Sequence, residues 1–220
     1  VRSRGAARSN TSTIRQPQIA RVLAASGGPI VPDAARVLPG EQLDGSPTQV
    51  EIDGTAAATT SASASEIAVP LPAGLSAGPH TALVRLGVDL GPPTGGRLAY
   101  ASNLATFVLQ PVVTRTASKH NVTVSEVKGT GAALRSATLK VKIDPPAAPR
   151  HTVLVELLSG PAVAYTFAAP PRTTASPELV VPIKDVKAGA YVLRVRVDGA
   201  ESPVEVDAAQ IPVAPKATVP

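Results

Sequence analysis

Apolar and polar residues alternate with a period of two over many short stretches of this chain. The stretches are residues 18–23, 50–53, 66–71, 81–86, 105–109, 121–124, 137–143, 152–157 and 191–197. Successive side chains of a β-strand point to opposite faces, so this alternation predicts strands with one buried and one solvated face. A spacing of about 15 residues between such strands is typical of a β-sandwich.

The composition favours strands in the same way. The chain has 23 Pro and 17 Gly among 220 residues, spread at turn-like places such as Pro39-Gly40, and they leave few windows for an uninterrupted helix. Hydrophobic residues make up 44% but aromatic residues only 2%, so the core must be built from Val, Leu, Ile and Ala. We therefore predict an all-β protein.

A chain of 220 residues is long enough for two domains, and an internal repeat supports a duplication. The first half contains Val69-Pro70-Leu71, then Gly78, then Val84-Arg85. About 111 positions later the same order recurs as Val181-Pro182-Ile183, Gly189 and Val195-Arg196. We predict two tandem immunoglobulin-like β-sandwiches, at residues 17–111 and 112–207. Residues 1–16 read as an Arg/Ser-rich connector from a missing upstream domain, and residues 208–220 as an extended, poorly ordered Pro/Ala-rich tail.

Positive charge is concentrated at the beginning of the chain. The formal net charge is +5, and five arginines precede the first acidic residue, Asp33: Arg2, Arg4, Arg8, Arg15 and Arg21. The remainder is electrically neutral, so we do not expect a nucleic acid partner. Within the predicted strands, Lys140, Lys142, Arg194 and Arg196 share one parity and are expected on solvated faces.

The residues that could carry chemistry are few. The chain lacks Cys, which excludes disulfides and thiolate sites, and none of its histidines lies in a nucleophile motif. We expect His80 in a turn, and His120 and His151 beside the cations Lys119 and Arg150, where a bound metal is disfavoured. We therefore predict a protein that is not an enzyme, with no catalytic, cofactor-binding or metal-binding residue and no small-molecule substrate.

Acidic and aromatic residues fit structural roles as well. We expect two carboxylate pairs to be solvated loop residues: Glu41 with Asp44, and Asp198 with Glu201. We expect Asp53-Gly54 to form a hairpin turn. The few Tyr and Phe residues are expected in the core or at corners of the sandwiches. No apolar run approaches the length of a membrane span, and no segment resembles a signal peptide.

The first half of the chain contains three segments with a distinctive order of turns and strands: RVLPGEQLDG at 36–45, QVEIDG at 49–54 and AGLSAGPH at 73–80. These segments resemble IPT/TIG domains, an immunoglobulin-like family that has an Ala-Gly-x-x-x-Gly-x-His passage at the place of the third. The resemblance implies an immunoglobulin-like sandwich for residues 17–111.

Two further segments are SNLATFVLQP at 102–111 and AGAYVLRVRVDGAESP at 188–203. They resemble the C-terminal half of tail-terminator, or cap, proteins of bacterial contractile injection systems, the phage-tail-like particles. The resemblance implies a structural appendage of a hexameric cap that closes the end of the tube and sheath. The partners would then be copies of the same protein and the tube and sheath proteins.

That resemblance also implies a place and a contact for the chain. The place is the bacterial cytoplasm within an assembled particle, with which the protein can be released. Arg2, Arg4, Arg8 and Arg15 would contact the upstream domain or neighbouring subunits. The alternative is a tandem immunoglobulin-like binding or adhesion module of a secreted or surface protein, which recognises glycan or protein through loops or an exposed strand edge.

Overall fold

The computed structural model describes residues 16–32, 36–89 and 96–220. All regular structure within these ranges is β-strand, and every strand pairing is antiparallel. The prediction of an all-β fold is confirmed. The described residues include no helix that could cross a membrane.

The first half of the chain forms two facing sheets, which we call sandwich 1. Its strands are β1 (Gln18–Ile19), β2 (Leu23–Ala24), β3 (Arg36–Glu41), β4 (Thr48–Ile52), β5 (Thr55–Ala57), β6 (Ser61–Ala62), β7 (Glu66–Val69), β8 (Gly78–Asp89), β9 (Gly96–Ala101) and β10 (Ala105–Leu109). One sheet has the order β1-β3-β7-β6, with β2 also on β3. The other has the order β10-β8-β4-β5, with β9 also on β8.

The second half forms sandwich 2. Its strands are β11 (Val112–Val113), β12 (Arg115–Thr116), β13 (Lys119–His120), β14 (Val122–Lys128), β15 (Arg135–Ala147), β16 (Val153–Ser159), β17 (Ala162–Ala168), β18 (Ser176–Val186), β19 (Gly189–Val197), β20 (Ala200–Glu201), β21 (Glu205–Val206), β22 (Pro212–Ala214) and β23 (Lys216–Val219). One large sheet is β11-β15-β14 with β18 on β15, and the other is β17-β16-β19-β20 with β23 on β19. Two short hairpins, β12-β13 and β21-β22, complete it.

Each sandwich has its own aliphatic core between its two sheets. In sandwich 1, Leu38 and Ile67 of one sheet are buried in a cluster with Val50 and Val84 of the other. In sandwich 2, the corresponding cluster joins residues of β15 and β18 to residues of β16 and β19. Full burial of each such side chain contributes about 1.5–3 kcal/mol, so these clusters hold the sheets together.

The two sandwiches repeat one another in detail. The order β5-β4-β8 in sandwich 1 corresponds to β17-β16-β19 in sandwich 2. In β8 the amide of Val84 donates to the hydroxyl of Ser102 at 3.0 Å, and in β19 the amide of Val195 donates to that of Ser202 at 2.9 Å. Gly78 begins β8 and Gly189 begins β19, as the sequence repeat suggests.

The expectation of a poorly ordered tail over residues 208–220 is wrong. β23 pairs with β19 from Val192 opposite Lys216 to Gly189 opposite Val219. Ala217 and Val219 are buried in the core of sandwich 2, while Lys216 is exposed. This short alternation completes the sheet beside β19, so the tail is part of the sandwich.

Two smaller expectations are also corrected. Pro39-Gly40 does not separate two strands but lies within β3, where Gly40 pairs with Ile19 of β1. A Cβ at Gly40 would lie 2.0 Å from the carbonyl oxygen of Gln18, which explains why only glycine fits there. His80 lies inside β8 and is buried, not in a turn.

Candidate functional site

The side chain of Tyr191 stabilises the turn between β18 and β19 of sandwich 2. The hydroxyl of Tyr191 donates to the carbonyl oxygen of Lys187, four residues earlier, at 2.9 Å. The ring meets that of Tyr165 edge-on at 5.7 Å, and the amide of Lys187 donates to the Tyr165 hydroxyl at 3.2 Å. This is the tyrosine corner of immunoglobulin-like sandwiches. Burial raises the pKa of Tyr191, and the neighbouring Tyr165 hydroxyl raises it further.

Sandwich 1 has a histidine at the equivalent place. His80 follows Gly78 by two residues, as Tyr191 follows Gly189, and its Nε2 lies 2.7 Å from the carbonyl oxygen of Ser76, again four residues earlier. Its Nδ1 lies 2.6 Å from Asp53 Oδ2. Both ring nitrogens therefore lie within hydrogen-bond distance of an oxygen, one of a backbone carbonyl and one of a carboxylate. We call this arrangement the His80 corner.

Asp53 reaches His80 from the turn between β4 and β5. Its Oδ1 accepts from the amide of Thr81 at 2.8 Å and from the Thr81 hydroxyl at 3.0 Å. Burial alone would raise the pKa of Asp53, but the hydrogen bonds from His80 and Thr81 outweigh it, so the pKa is lower than usual. Both ring nitrogens of His80 thus face groups of the protein itself.

The loop that the His80 corner holds also contacts sandwich 2. This corner loop comprises residues 70–77, between β7 and β8. Its last residue, Ala77, is fully buried in the core cluster of sandwich 2, and its amide donates to the carbonyl oxygen of Pro146 at 3.0 Å. A Cβ at the adjacent Gly78 would lie 3.7 Å from Cε1 of His151. Residues of sandwich 1 thus complete the core of sandwich 2.

The other end of the corner loop packs on sandwich 1. Leu71 and Leu75 are half-buried against its core. They line a cavity of about 270 Å³ at the junction, and Asp144 and Pro145 of β15 line it as well. The corner loop therefore belongs to both sandwiches at once.

Sandwich 2 contains a buried ion-pair cluster on β16, β19 and β20. The carboxylate of Glu156, which is 4% exposed, accepts from Arg194 Nε at 2.7 Å and from Arg196 Nη1 at 3.2 Å. Arg194 also meets Glu201, at 3.0 Å. Lys140 and Lys142 are exposed as predicted, but the two arginines are half-buried in this cluster and not freely solvated. The equivalent pair in sandwich 1 is a single one, Glu51 with Arg85 at 2.6 Å.

A second polar group lines a cavity of about 430 Å³ beside the β12-β13 hairpin. Nε of Arg115 donates to Nε2 of His120 at 2.9 Å, and Glu205 contacts both residues. Burial, and then the charge of Arg115, lower the pKa of His120. The rest of the lining is mostly Val and Pro. In the part of the chain that the structure describes, no group of three or more His, Asp or Glu residues is placed to hold a metal ion.

One edge strand lacks the usual protection against pairing. β17 pairs with β16 only among the described strands, and its sequence AVAYTFA has neither charge nor proline. An extra residue bulges at Ala164, but residues 165–168 pair regularly. Arg172 follows, and its buried Nη1 has no hydrogen-bond partner among the described residues. β18, the free edge beside it, carries Pro177, Pro182 and several charges.

The residues that the sequence singled out as contacts lie outside the described ones: Arg2, Arg4, Arg8 and Arg15. The residues that form the His80 corner were not predicted. The signal that could have found it is the repeat, which places His80 where sandwich 2 has Tyr191.

These features define the chain as a pair of tandem immunoglobulin-like β-sandwiches. Residues 111–219 match the family model of a domain of unknown function, DUF8756. The match covers just under half of the chain and runs to the end of β23, so it includes the segment first predicted to be a tail. No curated protein matches the sequence.

Proposed function

We propose that this chain is a structural module, in which two sandwiches form one stiff unit that spaces or braces its neighbours. The junction carries this proposal, because Ala77 of sandwich 1 is buried in the core of sandwich 2. A flexible linker would leave each core complete by itself, and domain motion is expected only where the shared contact is weak. Here, separation of the sandwiches would expose core residues to water.

The setting that we propose is the cap of a contractile injection system. It is supported by the resemblance of residues 102–111 and 188–203 to cap proteins, and the IPT/TIG resemblance of sandwich 1 agrees with an appended domain. In this setting, a hexameric ring formed by an upstream domain closes the tube and sheath in the bacterial cytoplasm. Arg2, Arg4, Arg8 and Arg15 then lie between that ring and the sandwiches, and the chain carries no catalytic activity.

Cryo-electron microscopy of the native assembly purified from cells tests this proposal. We expect six copies of a paired density around a closed tube end, with the same angle between the two sandwiches in every copy. A protein that never co-purifies with a particle would contradict the cap setting. Paired densities at variable angles would contradict the stiff unit.

The free edge of β17 favours a second candidate, a binding module that pairs with an extended segment of another protein. Such segments add a strand to an open sheet edge through main-chain hydrogen bonds. Arg172 beside this edge would select a segment with a nearby carboxylate. Thr166→Lys places a charge on the edge, and Thr123→Lys adds the same charge on β14. If the labelled chain binds cells and only Thr166→Lys abolishes binding, the second candidate replaces the first.

A further inference from the structure

The His80 corner stands next to the contact that joins the sandwiches. Ser76, whose carbonyl oxygen accepts from His80, is followed directly by Ala77, whose amide and methyl group contact sandwich 2. One hydrogen bond thus fixes the backbone one residue before the docking residue. In sandwich 2, the Tyr191 corner serves only its own turn, since Gly189 and Tyr191 lie at the start of β19 and the junction lies near its other end.

We infer that the His80 corner controls the orientation of the two sandwiches, by holding the corner loop in the one conformation in which Ala77 reaches the core of sandwich 2. The inference rests on the proposed stiff unit and names the residues that regulate it. The His80 ring links the carbonyl oxygen of Ser76, 2.7 Å from Nε2, to the carboxylate of Asp53, 2.6 Å from Nδ1. Asp53 therefore belongs to the same set of contacts.

The charged and titratable groups near the corner are few. Asp53 faces the ring from the β4-β5 turn, and Phe107 of β10 covers it with the ring centroids 5.5 Å apart. Across the junction, His151 lies beside Gly78, and its Nδ1 is 3.6 Å from Asp198 Oδ2. Asp144 borders the cavity below the corner loop. Asp53 is the acidic group in direct contact with His80.

Electron spin resonance distances between two labels test the inference on the full chain. The chain has no Cys, so Thr106→Cys on sandwich 1 and Lys140→Cys on sandwich 2 give one label each at exposed positions. We expect a narrow distance distribution for the parent, and a distribution at least twice as broad for His80→Ala. His80→Tyr copies the Tyr191 corner, retains the bond to Ser76 and should keep the distribution narrow.

Two variants separate the orientation from simple loss of stability. Tyr191→Phe removes the other corner bond and should leave the distribution narrow, although it weakens sandwich 2. His80→Phe keeps an aromatic ring but cannot bond to Ser76, so it should broaden the distribution, and it decides the question if His80→Ala fails to fold. Narrow distributions for folded His80→Ala, or for His80→Phe in its place, would overturn the inference alone. A broad parent distribution would overturn the stiff unit as well.

Discussion

Replacing Glu156 by Gln tests whether the buried ion-pair cluster stabilises sandwich 2. The change keeps the shape of the side chain, and Glu201 is then the only carboxylate partner of Arg194 and Arg196 among the described residues. Breaking a buried pair costs about 3–5 kcal/mol. The arginine side chains are 24% and 37% exposed, so water offsets part of the loss, and we expect about 2–3 kcal/mol.

Hydrogen exchange of the core amides of β16 and β19 measures this effect in one sandwich without requiring two-state unfolding of the whole chain. A loss of 2–3 kcal/mol corresponds to exchange that is roughly 30- to 150-fold faster. Glu51→Gln is the matched control in sandwich 1, where the pair is single and Arg85 is 43% exposed. We expect about 0.5–1 kcal/mol there. Equal losses for the two variants would refute the reasoning from burial.

Three further outcomes follow from the contacts described above. Ser202→Ala leaves the amide of Val195 buried and unpaired and should destabilise sandwich 2 by about 1–3 kcal/mol. Ser102→Ala should destabilise sandwich 1 by less, because Ser102 is half-exposed. Denaturant unfolding of both variants compares the two losses of stability. Tyr191→Phe should cost sandwich 2 about 1 kcal/mol by the same assay. Folding lowers the pKa of Asp53, so the ionised carboxylate stabilises sandwich 1 above pH 3.8, the ordinary pKa, and this stabilisation is lost as the pH falls below that value. Circular dichroism from pH 6 to pH 2 follows the loss, which should be smaller in Asp53→Asn.

Each of these outcomes has a result that would contradict it. Equal effects of the two serine variants would mean that the Val195 amide finds another partner. If Tyr191→Phe is as stable as the parent, the hydrogen bond of the Tyr191 hydroxyl does not stabilise sandwich 2. An acid transition that is unchanged in Asp53→Asn would show that other carboxylates determine the behaviour of sandwich 1 at low pH.

Strands with one solvated face could be predicted from the sequence, but two edge strands of sandwich 2, β17 and β18, could not. β4, β15 and β19 alternate clearly because one face packs on a core and the other meets water. β17 was missed because its exposed face is as apolar as its covered face. β18 was hidden by Pro182, which is tolerated because β18 pairs with β15 alone among the described strands, so one edge of β18 needs no amide donor.

The His80 corner could not be predicted from the sequence, because its contacts depend on the fold. The partner of His80 is Asp53, which lies 27 residues upstream, and only the fold of the sheet brings the two together. A histidine before a predicted strand, after Gly78-Pro79, reads as a turn residue when the neighbouring strand is not known. The docking of Ala77 could not be foreseen either, since an alanine in a loop gives no signal of burial in another domain.

Nuclear magnetic resonance relaxation of backbone ¹⁵N in the full chain tests the central claim, that the two sandwiches form one stiff unit. If Ala77 joins the cores as the structure shows, amides of β8 and amides of β19 will report one long rotational correlation time, that of a body that contains both sandwiches. Correlation times as short as that of a free sandwich of about 100 residues, whether or not β8 and β19 differ, would contradict the account.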